Sequence, residues 1–226
     1  MVLLSFLADS NNLVGTLPRE LGALTTLEYL SVSSNIIEGE LPSEICCLVL
    51  LEFLEIGVNS IGGHIPICIM EMTNLEMIFL SSNVMTGPLP SMIATLSKLE
   101  GIIVDNNLFT GDVTNLFNDL PRLRFLHLGE NNFFGTITDS FLAGHSDLLQ
   151  LDLSSSNLEG SLPAHFLSMP SLQFLDLHNN FLTNSIPAIA GENNELFVLA
   201  LQDNNMTGPL PPTLANLRAL VHLDGE

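Results

Sequence analysis

Tryptophan is absent from this 226-residue sequence, tyrosine occurs once, and there are only three cysteines. Three cysteines cannot staple a chain of this length into a disulfide scaffold. Basic residues are equally scarce: 5 Lys and Arg stand against 25 Asp and Glu, a formal charge of -20. DNA, RNA and anionic membrane all call for a basic face, so no nucleic-acid partner is expected. No apolar run reaches the roughly 18 residues of a spanning helix, so direct membrane insertion by this segment is not expected either. The apolar stretch 2–8 lacks a basic flank and runs straight into Asp9, unlike a signal peptide. Yet 46% of the residues are hydrophobic, too many for a disordered acidic tail.

What is present is a period. Asn35-x-Ile37-x-Gly39-x-Leu41-Pro42 recurs as Asn59-x-Ile61-x-Gly63-x-Ile65-Pro66 and as Asn83-x-Met85-x-Gly87-x-Leu89-Pro90. Repeats start at Leu3, Leu27, Leu51, Leu75, Leu99, Leu123, Leu148, Leu172, Leu196 and Leu220. The step is 24 residues, except for one of 25 whose extra residue falls around Ala143-Gly144-His145-Ser146. This gives nine full repeats and a stub within one domain, residues 1–226. No single repeat can bury its own apolar side, so each must lean on its neighbours, as in a solenoid.

Apolar residues hold the first, fourth and sixth positions, as in Leu27, Leu30 and Val32 or Leu148, Leu151 and Leu153. The alternating pair at four and six predicts one short parallel strand per repeat with one face inward. The ninth position is Asn11, Asn35, Asn59, Asn83, Asn107, Asn131, Asn180 or Asn204, with Ser156 the exception. A buried amide can serve backbone groups of its own turn and of the next, so a structural ladder of asparagines is expected, weakened at Ser156. Gly at the thirteenth position and Pro at the sixteenth shape the return path. Asn184 replaces Gly once, and Thr114 and Thr138 replace Pro. Pairs such as Ile45/Leu48 and Ile93/Leu96 should close the convex side in short helical turns. The expected class is an α/β solenoid with its strands on the concave face.

The period Leu-x-x-Leu-x-x-Leu-x-Leu-x-x-Asn-x-Leu-x-Gly-x-Ile/Leu-Pro resembles the plant-type leucine-rich repeat family over residues 3–226. The resemblance implies a horseshoe or superhelix with 3-10 turns on its convex face. It also implies non-catalytic binding of a protein or peptide through the concave face, with no cofactor or resident metal. Members of that family include receptor-kinase ectodomains, receptor-like proteins and inhibitors of wall-degrading hydrolases. An ectodomain fragment, a secreted inhibitor and an adhesive solenoid therefore remain open beside the general binding reading. Leu-Pro-x-Glu-Leu/Ile at 17–21 and 41–45 resembles the style of algal and diatom repeats. Plant ectodomains carry paired cysteines in caps, whereas Cys46, Cys47 and Cys68 lie inside repeats two and three. They read best as small, partly buried residues of the return path, with a link from Cys46 or Cys47 to Cys68 as the alternative. Neither end carries a polar cap, and the chain is expected to be a piece of a longer protein. Its compartment would be extracellular or membrane-attached if the parent is a receptor, and cytoplasmic otherwise.

Side chains at positions 2, 3, 5, 7 and 8 should face outward from the concave sheet. Position 3 carries Tyr29, Phe53, Met77 and Phe125 and position 5 adds Phe79 and Ile103; of these Phe53, Met77, Phe79, Ile103 and Phe125 would make an apolar patch over repeats three to six, the usual mark of a partner site. An aromatic at position 3 is also a repeat default, so the departures at Glu55, Phe79, Ile103 and His127 carry more. Glu28, Glu52, Glu76 and Glu100 form a ladder at position 2 before Arg124 reverses the sign. It reads as a solvated acidic edge, with attraction of a basic partner as the functional alternative; a straight row supplies the roughly six to eight converging oxygens of a calcium site poorly. His127, Asp152, Asp176 and His178 fall on adjacent strands, a pairing able to support acid–base chemistry, but on an open surface that opposes catalysis. His64, His145, His165 and His222 read as surface residues. One glycosylation sequon, Asn205-Met206-Thr207, is present.

Overall fold

The computed structural model describes residues 3–190 and 194–224. Ten three-residue strands, from Ser5–Leu7 and Tyr29–Ser31 to Val198–Ala200 and His222–Asp224, stack in sequence order as one parallel sheet. Neighbours pair 24 residues apart, as Tyr29 with Phe53 and Phe53 with Met77. The inward residues are sealed: Leu27, Leu30, Leu51, Leu54, Leu75, Leu99 and Leu148 have no exposed surface. Each such side chain contributes about 1.5–3 kcal/mol when fully buried.

The turn after each strand is built around the ninth position. The residue before it adopts a left-handed conformation in all nine repeats, with φ between 46° (Ser155) and 57° (Ser34). Asn106 and Asn179 suit that geometry; Val58, at φ 54°, carries a β-branched side chain there at a local cost. The bend aims the following Asn into the core. Asn107 is representative. Its Nδ2 donates to the carbonyls of Leu80 (3.0 Å) and Val104 (3.1 Å), and its Oδ1 accepts from Met85 N (3.0 Å). The amide from Leu13, Ile37, Ile61, Phe109, Leu158 and Leu182 is taken in the same way by the Asn of the next repeat. At 156 the rung is a hydroxyl, 8% exposed, which donates to the Ser154 carbonyl at 3.3 Å.

The return path, which Gly and Pro alone would mark as a shaped loop, contains a second sheet. Eight strands, from Val14–Thr16 to Phe181–Thr183, pair in parallel. Here neighbours lie 22 residues apart, as Val14 with Ile36 and Glu159 with Phe181. The convex side follows the proline pattern. Pro18, Pro42, Pro66, Pro163 and Pro211, with φ near -65° as the ring dictates, each open a 3-10 helix such as Ser43–Cys47 or Ala164–Ser168. Where Thr114 and Thr138 replace Pro, the path is a run of plain turns. There the bulky Phe117 and Phe141, with 0% and 1% exposure, fill the core, and Phe109 stacks on Phe133 at 6.2 Å.

Two expectations are corrected on this side. Cys46 and Cys68 form a disulfide with Cα atoms 5.8 Å apart, while Cys47 is an exposed free thiol. Cys46 lies late in the Ser43–Cys47 turn and Cys68 early in the Ile67–Glu71 turn of the next repeat, which sets the two side by side on adjacent turns. His145 is buried, not a surface residue. The extra residue of the 25-residue repeat moves it into the slot held elsewhere by Leu48, Met72, Leu96, Leu120 and Met169. Neither Nδ1 nor Nε2 of its ring has a hydrogen-bond partner.

Two substitutions test this account by urea denaturation. Ser156→Asn should restore the missing rung and raise stability by about 1–2 kcal/mol. His145→Leu should return the slot to its usual occupant and remove a buried, unsatisfied polar group, for a gain of about 1–3 kcal/mol. Each should move the midpoint with an unchanged slope; a fall in the midpoint would refute the corresponding packing argument.

Candidate recognition face

The concave sheet turns residues 24 apart into columns. Position 3 runs Tyr29, Phe53, Met77, Gly101, Phe125, and position 5 runs Ser31, Glu55, Phe79, Ile103, His127. Tyr29, Phe53, Met77, Phe79, Ile103 and Phe125 are all half-buried, so the apolar columns lie side by side with part of every ring or chain open to solvent. Two glycines shape them. Phe79 occupies the space where Gly57 would carry a Cβ, and Met77 lies over Gly101 in the same way. Side chains at either glycine would push these residues out of the face.

At the N-terminal end the columns become polar. Tyr29 stacks on Phe53 at 5.0 Å and donates its hydroxyl to Glu55 Oε1 at 2.6 Å. Ser31 donates to Asp9 and to Glu55 Oε2, the latter at 3.1 Å. Burial, reinforced by the Glu55 carboxylate, pushes the Tyr29 phenol up to about 12.

Beyond Ile103 the face turns acidic. Burial raises the Asp105 carboxyl above its ordinary range, opposed by the neighbouring His127. His127 Nε2 meets Gln150 Oε1 at 3.0 Å, and Asp152 Oδ1 accepts from both Ser154 N and Ser154 Oγ. Asp176 Oδ1 lies 2.7 Å from His178 Nδ1, and His178 Nε2 lies 3.2 Å from Ser155 Oγ. Ser155 stands where serine is a repeat default, and the Ser–His–Asp connectivity emerges only from the side-chain geometry. It sits on an open sheet, and the Ser155 amide already donates to the His178 carbonyl. A hydrolytic serine needs free donors for the oxyanion beside it, so the relay is read as fixing side chains.

The Glu28, Glu52, Glu76 and Glu100 backbones are directly hydrogen-bonded one to the next along the sheet edge. Their side chains are half-buried, and Glu100 is met by Arg124 at 3.5 Å. Arg124 also lies over the Phe125 ring, 5.7 Å from its centroid. A cleft of about 430 Å³ lies away from this face, between Ile65, Ile67, Pro88, Pro90 and Leu116. Among the described residues no three His, Cys, Asp or Glu side chains converge as a metal site, and no helix is long and apolar enough to cross a membrane. Asn205 and Thr207 of the sequon are exposed on the flank.

Tyr29 is the chain's only tyrosine and there is no tryptophan, so its ionisation can be read alone by ultraviolet absorbance. The midpoint should fall near 12, against an ordinary value of 10.0. Glu55→Gln should shift it down toward the ordinary value. An unshifted wild-type titration would show that the Tyr29–Glu55 contact is not held in solution.

Residues 121–182 match the family Leucine rich repeat, and residues 26–48 match a second profile of the same description. No curated protein matches the chain by sequence. Among solved structures, a TDR receptor is similar at 30% identity and a TM-score of 0.90, over 96% of this chain and 38% of that one. The plant peptide hormone receptor RGFR1, in complex with RGF2, is 28% identical with a TM-score of 0.85, over 98% and 39%. The Arabidopsis receptor kinase HAESA, solved with the peptide hormone IDA and the co-receptor SERK1, gives 28% and 0.86, over 97% and 37%. The chain thus spans less than two fifths of these receptor chains. A plant ice-binding protein, 24% identical with a TM-score of 0.82, shares the fold. Nothing in these matches marks an algal style. The repeat period, the asparagine ladder and these likenesses agree: the chain is built of leucine-rich repeats of the plant type.

Proposed function

We propose that this chain is part of the ectodomain of a leucine-rich repeat receptor and binds an extended peptide along its concave face, without catalysis. The observation that carries this reading is the pair of half-buried apolar columns around Phe53, Met77, Phe79, Ile103 and Phe125, lying in the fold of receptors solved with peptide hormones. Ten strands at about 4.8 Å spacing give a face on the order of 45 Å, the length of an extended peptide of roughly a dozen residues. The aromatic columns would supply anchoring contact.

The charge favours a basic peptide. Glu28, Glu52 and Glu76 line one edge, and Glu55, Asp105, Asp152 and Asp176 lie on the face itself. With a net charge of -20, the surrounding field would speed the approach of a cation and repel acidic competitors. Membrane attachment and signalling would belong to the parent protein. The Cys46–Cys68 disulfide supports an oxidising, extracellular setting, since such bonds are rare in the cytosol.

Calorimetry against basic, neutral and acidic peptides of one length tests the proposal. A basic peptide should bind, and Phe79→Ala should weaken it about tenfold or more, the usual effect of truncating an anchoring aromatic. Replacing Glu28, Glu52 and Glu76 together by Lys should slow association at low salt and matter little at high salt. Equal affinity for all three peptide classes would overturn the charge assignment. Binding indifferent to Phe79→Ala, with the fold intact by circular dichroism, would overturn the concave site.

A further inference from the structure

We propose that Asn205 is an N-glycosylation acceptor, placed by the repeat so that its glycan projects from the flank and leaves the concave face open. Asn205-Met206-Thr207 is the one Asn-x-Ser/Thr sequence in the chain. The fold presents it in a specific way. Asn205 N donates to the Leu182 carbonyl and Thr207 N to the Asn184 carbonyl, both at 2.8 Å, so the segment lies extended along Phe181–Thr183. In an extended segment, alternate residues share a face. Asn205 and Thr207 are accordingly both exposed, while Met206 between them packs against the core.

The neighbouring ladder residue shows the contrast. Asn204 Nδ2 is committed to the carbonyls of Leu177, Leu201 and Gln202, and its Oδ1 accepts from Leu182 N. The two asparagines thus divide the work: one amide closes the turn and the next faces solvent. The first of these positions is exposed in every repeat, and the second is exposed in all but repeats three and four, where Gly62 and Thr86 are half-buried. Asn132 is followed by Phe134 at these positions, Asn157 by Glu159, and Phe181 by Thr183. Only repeat nine combines the Asn with the hydroxyl residue that an acceptor sequence needs.

In the transfer, Asn205 Nδ2 displaces a polyprenyl pyrophosphate from the anomeric carbon of an oligosaccharide. The N–C bond forms, the C–O bond to pyrophosphate breaks, and the lipid pyrophosphate leaves with the electron pair. The amide proton passes to a base of the host transferase. No redox partner is required. The proposal rests on the extracellular part of the reading above, for which the Cys46–Cys68 disulfide is the independent structural sign.

The test directs the full chain into the secretory pathway of an insect-cell host and reads electrophoretic mobility before and after peptide-N-glycanase. Glycopeptide mass spectrometry then locates the glycan. One discrete shift is expected, lost in Asn205→Gln and in Thr207→Ala and kept in Thr207→Ser. Phe134→Thr creates an acceptor at the equivalent place in repeat six and reports whether the chain meets the transferase at all. Because the readout covers total as well as secreted protein, a folding defect does not mask it. Wild type without glycan beside a glycosylated Phe134→Thr variant would overturn the assignment of Asn205 and spare the compartment. Absence of glycan from both would overturn this proposal, since the flank of the repeats would then not present an acceptor to the transferase.

Discussion

Everything in this solenoid depends on one constraint: each turn is sealed from water, yet its backbone amides and carbonyls must still be hydrogen-bonded. The side-chain amide of asparagine meets that demand because it donates and accepts at once. Asn83 donates to the carbonyls of Ile56 and Leu80 and accepts from the Ile61 amide, so one side chain ties its own turn to the one before. A serine lacks the second donor, and an ionised aspartate would lack donors altogether. The left-handed residue before each asparagine, costly at Val58, is a local strain accepted to aim the amide inward.

The same ladder shapes the concave face proposed as the binding site. By fixing the pitch, it places residues 24 apart side by side on the concave sheet, so letters distant in sequence become a column in space. The backbone of the face is therefore fixed by the scaffold, so on the proposed reading little conformational entropy would be lost on binding. Its detail comes from what neighbours leave empty. Phe79 lies flat because Gly57 has no side chain, and Met77 folds over Gly101 for the same reason.

The concave strands, the inward leucines and the ladder were legible because they obey a fixed period that side-chain chemistry alone can explain. The lateral sheet was not. Its strands are rich in Gly and polar residues, which read as loop, and they pair 22 residues apart instead of 24. The Cys46–Cys68 bridge was open only as an alternative, because the repeat period does not say how closely one convex turn approaches the next. His145 escaped through the single inserted residue, which moved the count by one and carried an imidazole into a leucine slot. On the face, the identity of the columns could be read from the period. The Tyr29–Glu55 bond and the Ser155–His178–Asp176 relay could not, because they depend on rotamers chosen by the surrounding packing.

On the proposed reading, the asymmetry of the face gives a bound peptide a direction. Aromatic and aliphatic groups gather from Tyr29 to Phe125, and carboxylates with their histidines gather from Asp105 to His178. A ligand with an apolar part and a cationic part would satisfy both halves in one orientation. Reversed, it would set its apolar part on partly desolvated carboxylates and more of its charge on apolar rings, at a cost that favours the first orientation. The hydrogen bonds holding Asp152 and Asp176 to Ser154 and His178 keep those carboxylates in place, so that selectivity would be set by a surface already formed.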